Sequence, residues 1–209
     1  MARKTYSSTA GVTRHVIERG IDGDPCFVTQ DDYLVYLDRL REAAERYRCR
    51  IHAYALMADH VHLLVSAESE GRLSSMMRNV RTGYLEYVNY VHQGNGAFRE
   101  GRIESVAIHG IRDAFDCYRF IESCPVRECM AARPADYAWS SYRHHANGAE
   151  DMVIQDHPAY SGAGTSALER QLAYRESFHP SAVERGPAGL ANVMPRTAAA
   201  RLGASALVH

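Results

Sequence analysis

The order of apolar and polar residues predicts alternating strands and helices as far as residue 121. Apolar–polar alternation and short apolar runs indicate strands, and apolar residues at helical spacing indicate helices. In chain order, the predicted elements are a strand at 12–19, a helix at 31–47, strands at 51–57 and 61–67, a helix at 73–91, a strand at 103–108 and a helix at 111–121. The linker between the second and third strands is short, so these two strands are expected to form a hairpin.

This order favours an α+β fold. Hairpins mixed with helices suggest a ferredoxin-like or RRM-like antiparallel sheet with helices on one face. After Trp139 the pattern weakens, with a further helix predicted over 166–178 and an irregular tail from Pro180. We therefore expect one domain over 1–150 and a helical or irregular C-terminal extension over 151–209.

Charge gives only a local indication of a nucleic-acid partner. The net charge of −1 offers no global electrostatic case for nucleic acid. The segment 72–102, however, contains five arginines and only two acidic residues. Its exposed cations and aromatics are candidate DNA contacts, whereas Tyr84 and Tyr87 continue the apolar stripe and are expected in the core. The candidate DNA-binding residues are Arg78, Arg81, Tyr90, Arg99 and Arg102.

The five cysteines form no CxxC pair, and their number is odd. This favours reduced thiols over a disulfide framework. The N-terminus lacks an apolar signal core, and no apolar run approaches the length of a membrane span. We therefore expect a cytoplasmic protein without a membrane partner.

A histidine pair opens the third predicted strand. His60 and His62 flank Val61, and alternation along a strand places both imidazoles on the same face. Two imidazoles on one face can bind a divalent metal, although two ligands alone do not complete a site. His15, His52 and His109 are third-ligand candidates by position only. The alternative is a pair of structural histidines that form hydrogen bonds within the sheet.

Several ordered segments resemble the REP-associated tyrosine transposases, which are relatives of the single-tyrosine insertion-sequence transposases and carry the histidine pair as their HUH motif. The segments are HVIERG (15–20), DDYLVYLDRLREAAERY (31–47), HAYALMADHVHLLV (52–65), GRIES (101–105), FIESCPV (120–126), DYAWSSYRHHANG (136–148) and QDHPAY (155–160). The resemblance implies cleavage of single-stranded DNA beside a hairpin formed by a repetitive palindrome. It also implies a monomer, a Mg²⁺ or Mn²⁺ ion on the histidines, and a helix tyrosine that forms a 5′-phosphotyrosine.

The chain departs from this family at the position of the nucleophile. Phe120 stands where the family has its tyrosine, and it has no hydroxyl with which to attack. One helical turn later, Cys124 replaces an asparagine that could serve as the third metal ligand. The resemblance therefore implies a metal set of His60, His62 and Cys124, and a thiolate with two imidazoles makes Zn²⁺ possible.

The leading hypothesis is a DNA-binding protein of this family that recognises single-stranded or hairpin DNA and has reduced or lost cleavage. The alternative is an active metal-dependent endonuclease that uses water or another tyrosine. A third reading is an RNA-binding module with an RRM-like sheet, but the hairpin strands offer only Tyr54 as a stacking aromatic.

Overall fold

The computed structural model describes residues 13–20, 25–69, 71–92 and 102–178, with only the backbone of Arg102. The strands are β1 (Thr13–Arg19), β2 (Cys49–Leu56), β3 (His60–Ala67) and β4 (Arg102–Ile108). The helices are α1 (Gln30–Tyr47), α2 (Arg72–Val91), α3 (Gly110–Glu122), α4 (Cys124–Arg127), α5 (Tyr142–Asn147), α6 (Pro158–Ser161) and α7 (Ala167–Ser177), with a 3₁₀ turn at Pro134–Asp136.

The four strands form one antiparallel sheet in the order β2-β3-β1-β4. Together with α1 and α2 they give the βαββαβ arrangement of the ferredoxin-like fold. The sequence prediction of this α+β fold, including the hairpin of β2 and β3, is confirmed. At one end of the sheet, His60, Arg19 and Arg102 are neighbours across three strands.

The first face of the sheet packs against α1 and α2. Val61, Leu63 and Val65 point to this face from β3, where they meet buried helix residues such as Leu40 and Val80. The alternation along β3 therefore directs the intervening His60, His62 and Leu64 to the second face.

The second face of the sheet is also covered by helices, whereas the sequence predicted helices on one face and a C-terminal extension. Leu64 packs there with Ala53 and Ala55 of β2 and with Tyr118 and Ile121 of α3. A strand that is buried on both faces has a nearly continuous apolar sequence, as the run from 61 to 65 does apart from its histidine. The helices that follow β4 cover the histidine-bearing face.

The segment after residue 150 first runs along β2 and then packs against this second layer. The Gln155 N–H donates to the Ile51 carbonyl at 2.8 Å, and the Tyr174 side chain of α7 is fully buried. The helix predicted over 166–178 is present as α7, and Ser166 caps its N-terminus by accepting from the Glu169 N–H. The boundary at 150 stays a prediction, and the tail predicted from Pro180 lies outside the described residues.

Within the described ranges, no helix is both long enough and apolar enough to cross a membrane.

Candidate metal centre and nucleic-acid interface

Two imidazoles converge at the start of β3. His60 and His62 are both buried, and their Nε2 atoms lie 3.1 Å apart. Two nitrogens bound to one tetrahedral ion at about 2.0–2.1 Å are separated by roughly 3.3 Å. The pair is therefore spaced for a shared ion.

The junction of α3 and α4 brings a thiol to this pair. Pro125 has no N–H and occupies the first turn of α4, where the chain breaks away from α3. The Cys124 Sγ atom lies 4.0 Å from the His60 Nε2 atom. One ligand atom from each of His60, His62 and Cys124 falls within 4.8 Å of the others.

The remaining ring nitrogens are held by neighbours. The His60 Nδ1 atom lies 2.7 Å from an Asp59 carboxylate oxygen. The hydrogen bond with His60 lowers the pKa of Asp59, so its carboxylate is charged and can only accept. The His62 Nδ1 atom lies 3.0 Å from the His15 Nε2 atom, and the two rings stack. Partners at Nδ1 fix the ring orientation and leave Nε2 for a metal, as in many protein metal sites.

Burial favours the uncharged forms of His15, His62 and Cys124. Burial, followed by the charge of Arg127, lowers the pKa of His15 to about 3. Burial also lowers the pKa of His62 well below its ordinary value, with the neighbouring imidazoles adding to it. Burial raises the pKa of the Cys124 thiol to about 12. A metal that binds here must therefore displace the thiol proton.

Glu128 adds an oxygen donor to this set. Its Oε1 atom lies 3.7 Å from the His60 Nε2 atom and 3.6 Å from the Cys124 Sγ atom. Two imidazoles, one thiol and one carboxylate fit Zn²⁺ or another borderline divalent ion better than Mg²⁺, which prefers oxygen ligands and water.

Phe120 borders the histidines. Its ring centroid lies 5.7 Å from that of His15 and 5.9 Å from that of His62, with the Arg127 guanidinium 4.2 Å from the Phe120 centroid. Arg127 also donates to the Phe120 carbonyl at 2.7 Å. An apolar ring thus stands beside the candidate metal ligands, at the position where the resemblance places a hydroxyl.

The other tyrosines considered from the sequence point elsewhere. Tyr118 is buried, and its hydroxyl accepts from the His157 N–H. Tyr84 and Tyr87 lie on α2, at the opposite face of the sheet, and their hydroxyls donate to Cys26 and Asp32. None of these three hydroxyls faces the histidine pair.

Three of the candidate DNA contacts lie on α2, away from the histidine pair. Arg78 and Arg81 line a cavity of about 280 Å³ between α2, β1 and β4, which we call the α2 groove. Tyr90 projects from α2 with 89% of its surface exposed. Arg81 donates to Glu18 at 2.7 Å, so this ion pair neutralises its charge. Arg102 is placed only by its backbone, beside Arg19, and Arg99 lies outside the described residues.

Sequence reasoning missed several neighbours of the histidine pair. Asp59 directly precedes it, and an acidic residue at that point was an available signal. Glu128 follows Cys124 at a spacing of four residues, which helical geometry places on one side. Nothing in the sequence showed that Arg127 covers Phe120. His15 was named as a third-ligand candidate, and the structure instead places it against the Nδ1 atom of His62. His52 binds Gln155 and Ser66, and His109 precedes α3.

The fold and the paired histidines define the class first: the protein is ferredoxin-like and carries two buried histidines at HUH spacing. The family model described as IS200-like transposase matches residues 11–95, which include both histidines. The match covers less than half of the chain and shows that this segment is similar to the IS200-like transposases.

Ten solved chains match this protein. One is a REP-associated tyrosine transposase bound to a REP hairpin, which is 16% identical with a TM-score of 0.59, over 76% of this chain and 96% of the other. At this identity the likeness supports the fold alone. A second, from Deinococcus radiodurans R1 and described under a transposase name, is 16% identical with a TM-score of 0.40, over 54% of this chain and 91% of the other. No curated protein matches the chain.

Proposed function

We propose that this protein binds single-stranded or hairpin DNA of the REP type and does not form a covalent phosphotyrosine. The observation that carries the proposal is Phe120, whose ring stands beside His15 and His62. A phosphotyrosine requires a hydroxyl oxygen as nucleophile, and phenylalanine has none. The solved neighbour bound to a REP hairpin supports the choice of DNA.

A divalent ion would be held by His60, His62 and Cys124, with Glu128 available as an oxygen ligand. When bound, such an ion polarises a phosphate oxygen and neutralises developing charge. Asp59 orients the His60 ring, and Arg127 supplies a fixed positive charge over Phe120. These residues suit a site that grips a phosphate of unpaired DNA even where no bond is cut.

The DNA surface that we propose joins two regions. Beside the histidines, Arg19 and Arg102 are aligned across β1 and β4. On α2, exposed Arg78 and Tyr90 offer a phosphate contact and a stacking surface. Arg81 is the weaker candidate because Glu18 already engages its guanidinium.

The test is a DNA assay on the full chain with a labelled hairpin oligonucleotide, in Mn²⁺ or in EDTA. We expect binding in both conditions and no protein–DNA adduct on a denaturing gel. Phe120→Tyr, alone and with Cys124→Asn, should form an adduct in Mn²⁺. The matched control is Phe115→Tyr, which adds a hydroxyl to the same helix at a position that packs against α7.

An adduct formed by the unmodified protein would refute the proposal, because another tyrosine would then reach the phosphate. Cleavage without an adduct would instead support the alternative of a metal-activated water. The RNA-binding reading loses its basis, since Tyr54 is buried and its hydroxyl donates to Asp151 at 2.8 Å. Such a ring cannot stack on a base.

A further inference from the structure

A second group of metal-ligating side chains lies away from the HUH histidines. His144 and His145 are consecutive residues of α5, and Asp156 precedes α6. One ligand atom from each of the three falls within 4.8 Å of the others.

The hydrogen bonds of His145 leave one buried nitrogen free. Its Nδ1 atom lies 2.8 Å from the Glu122 carboxylate, which also accepts from the hydroxyls of Ser141 and Tyr174. A carboxylate with three such partners is an acceptor, so the imidazole is the donor at Nδ1. The His145 Nε2 atom is buried and has no hydrogen-bond partner among the residues that the structure describes. Such an orphan atom in a fully buried ring needs an explanation.

His144 shows the same division of roles between its nitrogens. Its Nδ1 atom lies 3.0 Å from the Ala149 carbonyl, which can only accept, so Nδ1 carries the proton. In the neutral ring, Nε2 then has a bare lone pair. That atom lies 3.3 Å from an Asp156 carboxylate oxygen. Two acceptors that face each other at this distance repel unless a proton or a metal ion lies between them.

We propose that His144, His145 and Asp156 bind one Zn²⁺ or similar borderline divalent ion through the two Nε2 atoms and a carboxylate oxygen. Two imidazoles and one carboxylate are an established zinc ligand set, with water able to fill the fourth position. The Ala149 carbonyl and the Glu122 carboxylate orient the rings through their Nδ1 atoms, as outer partners of metal ligands commonly do. His144 and Asp156 are partly exposed, so an ion can enter from solvent.

The placement of the three ligands indicates a structural role. Asp156 belongs to the segment that returns to β2 through Gln155, whereas both histidines belong to α5. The hydrogen bond between His145 and Glu122 connects α5 to α3. An ion here would hold the C-terminal segment to the layer that carries Cys124 without touching DNA.

Cobalt distinguishes this site from the HUH site because only the latter contains a thiolate. Metal-free full-length protein is titrated with Co²⁺ and followed by absorption. We expect two ions per chain, one of which gives a thiolate-to-cobalt charge-transfer band. Cys124→Ala should lose that band and keep an ion bound by nitrogen and oxygen.

His144→Ala and Asp156→Asn should keep the thiolate band and bind the other ion at least about 10-fold more weakly. His109→Ala, at an exposed histidine before α3, is the matched control and should titrate like the unmodified protein. Far-UV circular dichroism checks that each variant folds. The proposal is overturned if both variants titrate like the unmodified protein, as expected of a simple His144–Asp156 ion pair. It is also overturned if the unmodified protein binds only the thiolate-associated ion, or no ion at all.

Discussion

The positions of a few protons determine whether the HUH site can accept a metal. His60 and His62 present their Nε2 atoms to each other, and each has an Nδ1 partner. For His62 that partner is His15, whose own pKa is lowered to about 3, so it stays neutral throughout the physiological range. His15 is thus a positioning residue that holds the His62 ring by stacking and by one hydrogen bond.

Removing that hydrogen bond while keeping the aromatic ring tests this role. We expect His15→Phe to weaken Zn²⁺ affinity by roughly 10–100-fold, the usual effect of losing an outer partner of a metal ligand. Competition titration against a chromophoric chelator measures the affinity. His109→Ala is the control and should leave it unchanged. Unaltered affinity in His15→Phe would mean that packing alone orients His62.

The sequence was most informative where one local rule applies to each residue. Alternation along a strand was enough to place His60 and His62 on the same face, as the structure shows. The resemblance gave Phe120 and Cys124 their expected places in the site. Asp59, Arg127 and Glu128 were missed because their contacts depend on how α3, α4 and the β2–β3 linker meet. Such tertiary contacts leave no periodic signal.

Among the elements, the start of α1 is fixed by one buried carboxylate. Asp32 accepts from the backbone N–H groups of Val28 and Thr29 and from the side chains of Tyr87 and His92. Burial alone would raise the pKa of Asp32, but these hydrogen bonds outweigh it and hold the pKa at about 2. The carboxylate therefore anchors α1 to the end of α2.

This anchor gives stability a defined dependence on pH. Because the folded pKa lies below the unfolded value of about 3.9, the contribution is complete above pH 4 and is lost as the pH falls towards 2. We expect Asp32→Asn to lower the free energy of unfolding by about 1–2 kcal/mol at pH 7, with the deficit shrinking below pH 4. Urea denaturation at a series of pH values measures it. Asp31 is the exposed neighbour, so Asp31→Asn should lower the free energy of unfolding by less. Equal effects of the two substitutions would contradict the role of Asp32 as the anchor of α1.

The attachment of α7 depends on another buried carboxylate. The Tyr174 hydroxyl donates to Glu122 at 2.5 Å, with both residues fully buried. Hydrogen bonds to charged groups contribute about 1.5–3 kcal/mol, so Tyr174→Phe should lower the free energy of unfolding by that amount. Chemical denaturation provides the measurement. Tyr142 is a buried neighbour whose hydroxyl lacks a partner among the described residues, so Tyr142→Phe should lower the free energy of unfolding much less. A larger loss for Tyr142→Phe than for Tyr174→Phe would show that packing dominates.

At the scale of the whole molecule, the sheet separates the candidate metal site from the candidate DNA contacts on α2. The HUH histidines face α3, whereas the α2 groove lies on the other side. The order of elements was predictable because each has its own periodicity. The covering of the second face was not, since periodicity does not show which face α3 packs against, and the helices after residue 139 are short. Only the folded chain shows that α2 and the candidate metal ligands lie on opposite faces.

This separation predicts that DNA affinity and metal binding can be changed independently. We expect Arg78→Ala to weaken binding of a hairpin oligonucleotide and to reduce the salt dependence of that binding by about one unit of slope, since one phosphate contact is lost. Its Co²⁺ titration should be unchanged. His60→Ala should show the converse: loss of the thiolate-associated ion, with DNA affinity in EDTA retained. Fluorescence anisotropy at several salt concentrations measures the affinity for the hairpin oligonucleotide and its salt dependence.

Arg46→Ala, at an exposed arginine of α1 outside the α2 groove, is the matched control. If it lowered the affinity as much as Arg78→Ala, DNA binding would be a diffuse charge effect, and the α2 groove would have no particular part in it.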